Sequence, residues 1–115
     1  MGYDFFITRK INWNDVHEKS SISFDEWLQY VHSDNELLLE NGYWLYVQGQ
    51  KKFISEPGYC IWIAHPLLEG TKGPFFAYEF GAIQTKNADQ YTINKMISIA
   101  SVLAGKLIGE DGEFY

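Results

Sequence analysis

The chain is short of cysteine, of cations and of long apolar runs. Its single cysteine, Cys60, has no intramolecular partner, so a disulfide scaffold is excluded and a reducing, cytoplasmic setting is expected. Nine bases against fifteen acids leave a formal charge of −6. Arg9 is the single arginine, and Arg9-Lys10 and Lys51-Lys52 are the only adjacent basic pairs. Nucleic-acid binding rests on clustered Lys and Arg that neutralise phosphates, and this chain has no such cluster. No stretch approaches the ~20 apolar residues of a membrane span. The first ten residues place apolar side chains before Arg9-Lys10, the reverse of a signal peptide, and Phe6 stands where a myristoylation start needs Ser or Thr. The expectation is a cytoplasmic protein without a membrane or nucleic-acid partner.

Signatures of chemistry are equally sparse. His17, His32 and His65 and the lone Cys60 show no metal-ligand spacing. Glu110-Asp111-Gly112-Glu113 has the look of a calcium-loop fragment but lacks the further ligands and the closing glutamate. Gly70-Thr71-Lys72-Gly73-Pro74 is glycine-rich, yet a phosphate loop needs Gly-Lys-Ser/Thr opening a helix, and here a proline and a strand follow. There is no Gly-x-Ser-x-Gly elbow. Cys60 and His65 are five apart on one expected strand, which puts them on opposite faces, so they do not form a thiolate dyad without a bend. No metal, no cofactor and no catalytic residue is expected.

What the chain does have is apolar and aromatic mass: 46% hydrophobic and 17% aromatic residues over 115 positions, enough for one domain with its own core. Tyr3–Arg9 alternates as a strand. Residues 10–21 read as a polar loop. Ser23 and Glu26 form a capping box, with Ile22 and Trp27 at the staple positions and Phe24, Trp27, Leu28 and Val31 as the apolar stripe of a first helix. Tyr43–Gln48 and Lys51–Ser55 read as a hairpin turning at Gly49-Gln50. Tyr59–Ala64, Phe75–Phe80 and Ala82–Thr85 follow as strands, with His65-Pro66 as a stop and Gly81 as a bend. A second helix is expected from Ala88 to Ala104, capped by Asn87 with Gln90 reciprocal, its stripe Ile93, Met96, Ile97, Ala100, Leu103 and Ala104, and Gly105 as a left-handed stop. Lys106–Gly109 and Glu113–Tyr115 flank a turn at Asp111-Gly112. The fold class is α+β: an antiparallel sheet of four to six strands with two helices packed on one face, in the order β-α-β-β-β-β-α-β.

The aromatic residues carry the functional reading. Trp44 and Tyr46 share a strand face, Trp62 shares one with Cys60 and Ala64, and Tyr78 shares one with Phe76 and Phe80. If these faces coincide, one side of the sheet carries a band of rings that is either the core or an exposed docking surface. Glu79, within the aromatic stretch 75–80, is a carboxylate whose pKa an apolar setting would raise. The binding candidates are therefore Trp44, Tyr46, Trp62, His65, Tyr78 and Glu79.

Tyr3-Asp4-x-x-Ile7-Thr8-Arg9, Ser23-x-x-Glu26-Trp27, Trp62-x-x-His65-Pro66, Lys86-Asn87-x-Asp89 and Gly109-Glu110-Asp111-Gly112-Glu113-x-Tyr115 together resemble a group of small, poorly characterised bacterial proteins. In size, charge and setting these are similar to immunity proteins that neutralise a toxin. The resemblance carries no catalytic residue. It implies a non-catalytic protein-binding module whose acidic surface meets a basic protein partner such as a toxin domain. Two other readings stay open: a small enzyme or ligand-binding protein with a pocket at His65, Tyr78 and Glu79, and a homo-oligomer that buries its ring-rich face against a second copy.

Overall fold

The computed structural model describes residues 3–10, 21–67 and 73–115. Residues 11–20 of the expected loop, His17 among them, and most of the glycine-rich stretch at 70–74 lie outside the described residues. Among these residues ten elements follow in order: β1 (Asp4–Thr8), α1 (Phe24–Ser33), β2 (Leu37–Leu39), β3 (Gly42–Val47), β4 (Gln50–Ser55), β5 (Cys60–Trp62), β6 (Phe75–Glu79), β7 (Ala82–Lys86), α2 (Gln90–Val102) and β8 (Lys106–Gly109). The fold is α+β and antiparallel, as the patterning predicts. Six strands form one sheet in the order β2-β5-β6-β7-β1-β8, and β3 and β4 form a separate two-stranded sheet.

Register separates the two faces of the large sheet. Phe5 lies opposite Thr85 and Gly109, Ile7 opposite Ile83 and Leu107, Tyr78 opposite Ile83, Cys60 opposite Phe76, and Leu37 opposite Trp62. Because side chains alternate with period two, these residues share a face. The apolar residues among them form one buried cluster with Ile22, with Trp27 and Val31 of α1, and with Met96, Ile99, Ala100 and Leu103 of the second helical segment, and Tyr78 packs partly buried against it. The opposite face carries Phe6, Ile61, Ala77, Ala82 and Ile108, which are also buried.

Helix α1 starts as its sequence dictates. The Ser23 hydroxyl accepts from Glu26 N–H at 3.1 Å and a Glu26 carboxylate oxygen accepts from Ser23 N–H at 3.1 Å. Arg9 then clasps the Glu26 carboxylate with two nitrogens, at 3.0 and 2.6 Å, and its guanidinium also donates to the Leu103 carbonyl at the end of α2. One cation thus ties β1 to the start of one helix and to the negative end of the other, where a positive charge is favoured.

Helix α2 departs from expectation at both ends. Asp89, not Asn87, is its cap: one carboxylate oxygen accepts from the N–H and the hydroxyl of Thr92, each at 2.9 Å. Asn87 instead takes φ 53° and accepts from Tyr3 N–H, so its side chain closes β7 against β1. At the C-terminus Ala104, not Gly105, is left-handed, at φ 55°, and Gly105 N–H returns to the Ala100 carbonyl at 2.8 Å. The buried stripe runs through Thr92, Met96, Ile99 and Ala100, leaving Ile97 exposed. Leu37–Leu39, to which the pattern assigns no element, pairs as an edge strand with β5. That strand is shorter than expected, and Ile63 and Ala64 lie in an exposed turn.

Candidate functional site

The six sequence candidates do not form one band. Trp62 and Tyr78 point into the helix-covered core, whereas Trp44 and Tyr46 stand on the detached hairpin β3–β4 and Glu79 faces the other side of the sheet.

Trp62 is 6% exposed and its Nε1 donates to Glu36 at 3.0 Å. Lys95 reaches the same Glu36 oxygen at 2.9 Å and Asp34 at 2.7 Å, and the Tyr30 hydroxyl donates to Asp34 at 2.7 Å. Burial alone would raise Asp34, but the hydrogen bonds from Lys95 and Tyr30 outweigh it and hold this carboxyl below its usual range. Lys95 holds Glu36 low as well, with help from Trp62. The network fastens the end of α1 and the start of β2 to β5 and α2. Its residues serve the architecture.

Tyr78 is half-buried and its hydroxyl donates to the Ile22 carbonyl at 2.7 Å. His65 is clamped as well. Its Nδ1 accepts from Leu67 N–H at 3.0 Å, which assigns the proton to Nε2, and Nε2 meets Asp89 at 2.7 Å. The ring sits edge-on between Trp62 and Tyr91. His65, Tyr78 and Glu79 therefore share no pocket: Tyr78 and Glu79 are consecutive on β6 and face opposite ways. Cys60 is fully buried, and burial pushes its thiol up to about 12, so it is an inert core residue.

The hairpin is the anomaly. Its strands pair with each other from Gly42↔Ser55 to Val47↔Gln50 and, among the described residues, with no other strand. The turn is Gln48-Gly49, one residue earlier than expected, with φ 52° and 78°. Both central residues of a type I′ turn need positive φ, and placing Gly49 second leaves Gln48 to adopt it first. The base is well held. Asn41 N–H and Glu40 N–H both donate to the Tyr59 carbonyl at 2.9 Å, and Glu56 N–H returns to Asn41 at 3.0 Å. Phe53 lies across Gly42, where a Cβ would come within 2.5 Å of its ring.

Beyond that base the hairpin is apolar and uncovered. Trp44 is 52% exposed and Tyr46 76%, and Leu45, Val47 and Phe53 are exposed too. Trp44 and Phe53, directly paired, meet edge to face with centroids 5.1 Å apart, and Lys51 Nζ lies 4.8 Å above the indole. Trp44, Tyr46, Phe53 and Lys51 thus make one face of the ribbon. The stretch Gly42–Ser55 carries Lys51 and Lys52 and no acid, against a whole-chain charge of −6.

The other face of the ribbon base opens on a cleft. Tyr43 leans on Tyr59 at 5.2 Å, and Tyr59 stacks on Phe75 at 5.3 Å and 10°. These rings and Ala77 form the apolar wall of a cavity of about 420 Å³ between the hairpin base and the outer face of the large sheet. Its polar edge is Glu56, Glu79, Gln84 and Lys86. Of the sequence candidates, only Glu79 reaches it. Sequence reasoning missed Tyr43, Tyr59 and Glu56, because the cleft exists only where the detached hairpin folds back toward the sheet.

Among the described residues no group of three His, Cys, Asp or Glu side chains is placed to hold a metal ion, and no helix is long and apolar enough to cross a membrane. No protein-family model, curated protein or solved structure matches the chain.

Proposed function

We propose that this chain is a non-catalytic protein-binding module whose recognition element is the β3–β4 hairpin, and that its role is to neutralise a toxin as an immunity protein does. The observation that carries the reading is the exposed ring face of Trp44, Tyr46 and Phe53. Large apolar residues gathered on a soluble surface mark contact sites, and Trp and Tyr dominate the energetics of such contacts. A free two-stranded ribbon is marginally stable alone and offers open edges, so a partner that covers it gains both ring burial and strand pairing.

The net charge of −6 steers a basic partner toward the body of the protein. Lys51 and Lys52 refine that picture at the hairpin itself, where the surface beneath the rings should be apolar with an acidic rim. Catalysis finds less support, because His65, Tyr78 and Cys60 are occupied in the core and its margins.

The test is co-expression with the product of the adjacent gene. A stable complex and protection of the host from that product are expected, and Trp44→Ala with Tyr46→Ala should weaken binding at least ~30-fold, the scale of anchor residues at protein interfaces. Absence of both complex and protection removes the reading.

A further inference from the structure

We propose that the cleft between the hairpin base and the outer face of the large sheet is a socket for a basic side chain, arginine foremost, presented by the partner protein; the partner rests on the protein-binding reading above, whereas the chemistry of the socket does not.

The wall of the cleft is aromatic and its edge is anionic. Tyr43, Tyr59 and Phe75 supply ring surface, and a guanidinium near such rings is attracted by their quadrupoles. Glu56 and Glu79 stand at the edge, and among the described residues neither carboxylate has a side-chain hydrogen bond or ion pair. The other acids that this structure sets in networks are already matched: Glu26 by Arg9, Asp34 and Glu36 by Lys95, and Asp89 by His65. The cleft therefore holds uncompensated negative charge next to rings. The hydroxyls of Tyr43 and Tyr59 are likewise without a hydrogen bond among the described residues and add acceptors for a planar donor.

Among the described residues Lys86 is the one cation of the edge, and its Nζ is drawn toward Asp4 at 3.8 Å on the neighbouring strand, which leaves the two glutamates to set the sign. An anionic visitor would face both carboxylates. A neutral one would leave them unanswered. The volume of about 420 Å³ is at the small end of ligand sites and matches one long side chain with its waters. Arginine fits better than lysine because its flat fork both stacks on rings and pairs two carboxylates. The socket also adjoins the ring-bearing ribbon through Tyr43, so an arginine held here and a surface docked on Trp44 and Tyr46 can belong to one partner.

The experiment is an NMR titration of the whole chain with capped arginine (N-acetyl-arginine methylamide), with capped citrulline as the uncharged isostere. Saturable shifts at Tyr43, Tyr59 and Ala77 are expected, with a dissociation constant on the order of 1 mM. Citrulline should produce none. Glu56→Gln with Glu79→Gln should weaken the affinity at least ~10-fold without altering the spectrum of the core, since Glu79 is exposed, Glu56 is only half-buried, and neither belongs to the core. Unshifted rings, equal shifts from citrulline, or an affinity indifferent to the double substitution each overturn the proposal. None of these results bears on the hairpin, whose own test is loss of the complex in the Trp44 and Tyr46 variants.

Discussion

The Trp62 indole donates to Glu36 at 3.0 Å while Lys95 holds the same oxygen at 2.9 Å. The ring that sequence patterning offers as a docking anchor is thereby committed to the interior. Lys95→Met strips the compensating charge from Asp34 and Glu36 and should cost about 2–3 kcal/mol, since breaking a shielded ion pair strands its partners. Trp62→Phe removes the indole hydrogen bond and leaves part of the space of the larger ring unfilled, at about 1–3 kcal/mol. Denaturant melts measure both, and neither change should touch partner affinity.

Glu26 is held down from an ordinary 4.5 to about 2, first by the hydrogen bond from Arg9 and then by those at Ser23. A carboxyl with a depressed folded pKa stabilises the protein above its unfolded pKa and loses that contribution as pH falls through the folded one. The Arg9–Glu26 clasp therefore acts in full above about pH 4.5 and fades between there and about pH 2. Glu26→Gln should flatten the stability curve in that window. Urea melts at stepped pH would show it, and an unchanged slope would refute the assignment.

The turns that join β3 to β4 and β6 to β7 each put a non-glycine residue in the left-handed region ahead of a glycine: Gln48-Gly49 at 52° and 78°, and Phe80-Gly81 at 53° and 75°. Asn-Gly suits that turn better than either pair. Gln48→Asn and Phe80→Asn should each stabilise the fold by up to about 1 kcal/mol, the scale of the left-handed penalty. Thermal melts would register a rise of a few degrees.

Gly42 sits at φ 149°, with the Ile54 carbonyl 2.3 Å from where a Cβ would stand. Gly42→Ala should dislodge the ribbon while the six-stranded sheet persists, because β3 and β4 pair with nothing in that sheet. The expected signature is loss of hydrogen-exchange protection across 42–55 with protection kept in β1, β7 and β8. Global unfolding would show that the ribbon supports the rest.

Local rules made much of this fold legible. Ser23 and Glu26 announce α1 through contacts three residues apart, and Tyr3–Arg9 alternates cleanly. The misses arise where distant residues compete. Asn87 is a good cap by type, but Tyr3, 84 positions away, claims its side chain and hands the cap to Asp89. Phe80 extends an aromatic strand on paper, yet Gly81 behind it makes the two a turn. Tyr43–Gln48 and Lys51–Ser55 read as a hairpin and form one, but no local rule says that this ribbon stands apart from the large sheet, between a cleft and open surface. The alternation that divides Tyr78 from Glu79 is visible in sequence, but which side the helices cover is settled only by packing between distant elements, α1 on β2 and α2 on β1 and β8.

That placement of β1 governs how the molecule assembles. Its neighbours are β7 and β8, drawn from residues 82–86 and 106–109. A nascent chain can close α1 and the ribbon early, but Phe5 and Ile7 stay unpaired until residues 82–86 and 106–109 have been made. Completion of the sheet is therefore non-local, the regime of slow collapse and transient stickiness. Cells making this protein would benefit from a chaperone on its first strand, and C-terminal truncations that remove β8 should aggregate.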